Sequence, residues 1–137
     1  TDQKVSTEMA EQDFERFAER WDIETDVSRM NEESADGFGA LKDRIIRAIE
    51  NGRVDIGDNA ELTYQLHESV GGISELVFRV PTGAAYMEMD NYKEKQSMRK
   101  LFAFMGSMTK TDSKLFAKMD GVDVKFCQGV ATLFMVS

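Results

Sequence analysis

The chain is poor in the residues that build reactive or cross-linked sites. Of its 137 residues, one is cysteine, one histidine, one proline and one tryptophan. A lone cysteine, Cys127, closes no internal disulfide, and the cytoplasm is its expected compartment. With His67 the only histidine, a histidine-based triad would have to be built around that one residue. It stands beside Glu68 near a glycine pair and is expected to be exposed rather than catalytic. No apolar run approaches the roughly 20 residues that span a bilayer. The opening stretch "TDQKVSTEMAEQDFERF" is polar and acidic, which argues against a signal peptide. Gly37 and Gly39 lack the preceding strand and following lysine of a phosphate loop, so that motif is excluded.

What is present suits one globular domain with a sizeable core: 42% hydrophobic and 31% charged residues. The net charge of −8 is unevenly placed. Residues 1–36 hold twelve acids and four bases, which accounts for all of it, and the remainder holds thirteen of each sign. The composition therefore marks an acidic N-terminal arm and linker over 1–36 and a neutral α+β domain over 37–137. That charge distribution argues against nucleic-acid binding, which needs a basic footprint.

Within the arm, Phe14, Phe17, Ala18 and Trp21 follow helical offsets and form one apolar stripe. Two destinations are open to it, the chain's own core or a groove on a partner. Residues 22–36 show no sustained period and read as a linker. A helix follows over 40–51, with Leu41, Ile45, Ala48 and Ile49 on one face and Asn51-Gly52 as its stop. Strands are expected over about 53–80. In "ELTYQLHE", Leu62, Tyr64 and Leu66 alternate with polar residues, and Gly71-Gly72 joins this run to "ISELVFRV". Pro81 ends the sheet. Helices over about 83–136 then cover a small antiparallel hairpin or meander of two to three strands. Met98, Leu101, Phe102, Met105 and Met108 recur at helical spacing, as do Phe126, Val130, Leu133 and Phe134. The expected class is α+β with segregated parts.

Chemistry-bearing constellations are absent from this reading. Cys127 sits within an apolar stripe as a small hydrophobe. Asp120 and Asp123 suit the start of a helix, where the dipole favours acids. Glu32-Glu33 offers only two carboxylates in a polar stretch. No catalytic residue, cofactor or metal is expected. Methionine is the abundant oddity, with nine residues, seven of them after the glycine pair. Thioethers fill irregular cores, and they also make adaptable binding surfaces. The partner-binding candidates are therefore Phe14, Phe17, Trp21, Met98, Phe102, Met105 and Met108.

The order "ELTYQLHESVGGISELVFRVPTGAAYMEMD" followed by "SMRKLFAFMGSMTKTDSKLFAKMDGVDVKFCQGVATLF" resembles the phage tail assembly chaperones of Mu-like and related tailed phages. The resemblance covers roughly residues 52–136. It rests on an exit of the form "FRVPTGA" and on a segment similar to LxxMTGxxxxxFxxLxxxDxxxCxxxxxxFL. Where that pattern has glycine after Met-Thr, this chain has Lys110, and residues 1–51 add a helical arm that short members lack. The resemblance implies a non-enzymatic chaperone that binds the tape measure protein and/or tail tube subunits in the host cytoplasm. It implies neither nucleic-acid nor membrane binding. The open edge of a small sheet leaves room for homo-oligomerisation. Two other readings stand beside it: a structural component of a phage-like particle, and an acidic inhibitor mimicking nucleic acid.

Overall fold

The computed structural model describes residues 4–135. Six α-helices and a three-stranded sheet follow one another as expected for an α+β chain. Helix α1 (Thr7–Arg20) is capped by Ser6, whose side chain accepts from the Met9 N–H. A single 3-10 turn (Val27–Arg29) leads to α2 (Glu32–Glu50). The helix expected from residue 40 thus begins at Glu32. Asn31 accepts from the Ser34 N–H at 2.8 Å, and Glu32 and Glu33 occupy the dipole-favoured first turn. Gly37 and Gly39 are ordinary helical residues, and α2 runs across the expected boundary between arm and domain.

Strands β1 (Val54–Ile56), β2 (Leu62–Val70) and β3 (Ile73–Phe78) form an antiparallel meander in that order. Leu62 pairs with Ile56 and Phe78, and Tyr64 with Val54 and Leu76, so all six side chains share the buried face. Gly71 and Gly72 both take positive φ, which the two-residue turn between β2 and β3 requires. The remaining helices are α3 (Gly83–Met89), α4 (Ser97–Thr109), the single turn α5 (Leu115–Lys118) and α6 (Gly121–Met135). Helix α4 packs on β3 and α6, and α6 packs on β2 and α2. Among the described residues no helix is long and apolar enough to cross a membrane.

The aromatic stripe of α1 lies in this core. Phe14, Phe17 and Trp21 are buried with residues from the sheet, α2, α4 and α6 in one cluster. Rings run from Phe14 to Phe17 (6.0 Å), Trp21 (4.7 Å) and Phe134 of α6 (6.0 Å). Polar contacts tie the same helix to the β1–β2 turn. Trp21 Nε1–H donates to the Ala60 carbonyl at 2.8 Å, and Arg16 donates to the carbonyls of Ile56 and Gly57. The acidic arm is by charge a separate region and by packing a wall of the domain.

Candidate functional site

A buried polar junction between β2 and α6 and the outer surface of α3 and α4 both offer features beyond core packing.

The junction centres on Asp123, in the first turn of α6. Asp120 starts this helix by accepting from the Val122 N–H at 2.9 Å. Asp123 follows on the stripe that also carries Phe126, Cys127 and Val130, so its side chain points inward and is 0% exposed. Strand β2 supplies its partners. Tyr64 O–H donates at 2.7 Å, and His67 Nδ1 lies 2.8 Å from the carboxylate. The backbone N–H groups of His67 and Glu68 donate at 3.0 and 3.3 Å. Those two residues lie where the β2–β3 register shifts, between Gln65 and Val70. Burial pushes the Asp123 pKa upward, but the bonds from His67, Tyr64 and the two amides outweigh it and hold the carboxyl below its ordinary range.

The neighbours respond to the same environment. Burial first, then the hydrogen bond and charge of Asp123, push the Tyr64 phenol far upward. Burial likewise raises the Cys127 thiol. Tyr64 stacks on Phe126 at 4.1 Å with ring planes 8° apart, closing the junction on its apolar side. An ionised carboxylate can only accept, so the His67 Nδ1 that faces it is the donor of this pair. A His–Asp pair recurs in triads, but the hydroxyl beside this one, Tyr64, donates its hydrogen bond to Asp123 rather than to the histidine. The junction is a clasp between sheet and helix.

The helical surface divides the methionines. Met105 and Met108 are buried between α4 and the sheet, so these two of the expected partner-binding residues are core. Phe14, Phe17 and Trp21 join them there for the packing reason given above. Met98 is 48% exposed at the start of α4, where its sulfur accepts from Gln128 Nε2 at 3.5 Å. Phe102 is half-buried, in ring contact with Phe116 at 5.8 Å, and lines a cleft of about 280 Å³ with Tyr92, Arg99, Ser113, Lys114 and Ala117. Sequence reasoning left out Met87 and Tyr86, on the packed neighbour α3, which are 72% and 48% exposed. Tyr86 rests its edge on the buried Phe104, with ring centroids 5.1 Å apart. Their helix has only seven residues, too few to display a polar face against which an apolar one stands out.

The resembling segment acquires a physical reading here. Lys110, at the pattern's glycine, ends α4 in the left-handed conformation (φ 56°, ψ 42°). The Thr111 N–H returns to the Gly106 carbonyl at 2.9 Å, and a Cβ on Gly106 would meet the Thr111 oxygen at the same distance. Asp123 and Cys127, at the pattern's aspartate and cysteine, are buried in the junction. Among the described residues no group of three or more His, Cys, Asp or Glu side chains is placed to hold a metal ion. In comparisons with known proteins, no family model, no curated protein and no solved structure matches the chain.

Proposed function

We propose that the chain is a non-enzymatic assembly chaperone of the phage tail type, binding the tape measure protein and/or tube subunits in the host cytoplasm while the tail forms. The observation that carries this reading is the exposure of Tyr86, Met87 and Met98 on the adjacent helices α3 and α4, over a core that is complete without them. Unbranched thioethers adapt their shape to varied apolar surfaces, as a client's long helices require. The net charge of −8 keeps such a carrier dispersed. Residues 52–136 add the resemblance, whose positions Lys110, Asp123 and Cys127 lie at the end of α4 and in the sheet–helix clasp.

The test is co-purification of the tagged protein from cells producing the phage or prophage, with mass spectrometry of the captured proteins. Capture of a very long helical protein or a tube subunit, together with absence from finished particles, is the expected result. Presence in mature particles would make the chain a structural component. Capture of a nucleic-acid-binding host protein would favour the acidic mimic.

A further inference from the structure

A second surface, built from α2, β2 and the first turns of α6, has the opposite chemistry to the acidic whole. Arg44 and Arg47 of α2, Arg53 before β1, His67 of β2 and Lys125 of α6 line one open cleft of about 430 Å³. No acid lines it. Arg44, Arg47, Arg53 and Lys125 make no salt bridge among the described residues, although the chain carries 25 acids against 17 bases. Asp123, which bonds the cleft residues Tyr64 and His67, is fully buried and occupied by four donors, so it offers the cations no partner. Two of the guanidiniums are steadied from behind. Arg53 donates to the Gln65 carbonyl at 2.8 Å and Arg47 to the Asp43 carbonyl at 3.4 Å. One side of the cleft is apolar, made by Ala48, Phe126 and the exposed Val122.

We infer that this cleft binds an acidic segment of a protein partner, with its carboxylates on Arg44, Arg47 and Lys125 and an apolar side chain against Val122. Guanidinium forks pair with carboxylates, and like-signed cations held together without counter-charges are stabilised by an anionic partner. The apolar wall selects a peptide over a simple anion. The surrounding charge of −8 and the confined size of the cleft disfavour a nucleic-acid backbone, which needs a continuous basic track. The inference stands on charge and shape alone and does not depend on tail assembly.

The probe is a fluorescein-labelled peptide alternating Glu and Leu, followed by anisotropy against the full chain at low salt and at ~0.5 M salt. Saturable, salt-sensitive binding is expected, with no binding of the matching Gln–Leu peptide. Arg44→Glu combined with Arg47→Glu is expected to weaken it by about tenfold or more, and Arg47→Gln or Lys125→Ala alone by less. Lys114→Glu, in the Phe102 cleft, is expected to change nothing. Trp21 fluorescence checks that each variant is folded, and Arg47→Gln, at an exposed position, serves if the double reversal fails to fold. Absence of binding, or equal binding by the folded variants, would overturn the inference. Tighter binding of tripolyphosphate or an oligonucleotide than of the peptide would overturn the choice of ligand. Capture of a tail protein through the other surface is unaffected by any of these outcomes.

Discussion

Replacing Asp123 with Asn keeps the side chain's size and removes its charge, so it isolates the hydrogen-bonded clasp from packing. In the native protein the carboxylate accepts from Tyr64, the His67 ring and two backbone amides. An amide there retains one acceptor oxygen and turns an NH2 toward those donors. At least one buried donor is left without a partner, at about 1–3 kcal/mol, and charge-assisted bonds become neutral ones. A loss of about 2–4 kcal/mol is therefore expected, a large share of the roughly 5–15 kcal/mol typical of a domain. Tyr64→Phe, which removes one donor and leaves the carboxylate three, is expected to cost about 1 kcal/mol. Urea unfolding followed by Trp21 fluorescence measures both, since the indole is buried and hydrogen-bonded to Ala60. The acid limb supplies an independent check. The folded carboxyl titrates below its unfolded value, so its contribution is present above roughly pH 4 and is lost as pH falls through the lower folded pKa. The Asn variant lacks that component and should show a shallower loss of stability on acidification. An Asn variant within about 0.5 kcal/mol of wild type, with an unchanged acid limb, would refute the clasp.

Other positions give sharper or simpler outcomes. Lys110→Gly relieves a left-handed lysine at the end of α4 and should raise stability by about 0.5–1 kcal/mol, read from the urea midpoint; a decrease would contradict the strain assigned there. Deleting residues 1–21 removes Phe14, Phe17, Trp21 and the Arg16 contacts, and should abolish the cooperative transition seen by circular dichroism. A truncated chain that still melts cooperatively would restore the arm as a separable unit. Met87→Glu with Met98→Glu, at exposed positions, should leave the melting temperature nearly unchanged, whereas Met105→Glu or Met108→Glu should prevent folding.

Much of this architecture is legible in the sequence because period and burial agree. The alternation of Leu62 and Tyr64, the glycine pair and the stop at Pro81 mark the meander, since each acts locally. The start of α2 is not legible as a stripe: residues 32–37 are polar, small and solvent-facing, and only the Asn31 cap and two following glutamates announce a helix. Charge misleads at α1, because its acids line the outer face while its stripe closes the core. Asp123 at the head of α6 satisfies the local expectation of a first-turn acid, yet its position three, four and seven residues before Phe126, Cys127 and Val130 already places it on the buried stripe. A charge on such a stripe demands partners, and those come from β2, distant in sequence. The cationic cleft is hidden for the same reason, its members being spread from residue 44 to residue 125. Methionines at one helical spacing divide between core and surface because the packing of α3, β3 and α6 decides which sides of α4 are covered.

The exposed surface of α3 and α4 is proposed to hold a client protein, and side-by-side capture is the test of that role. Tagged wild type and the Met87→Glu, Met98→Glu variant would be recovered from phage-producing cells and the co-purified proteins quantified by mass spectrometry. A very long helical protein or a tube subunit is expected with wild type, and its loss with the folded variant. Equal recovery by both, or no such protein with wild type, would contradict it.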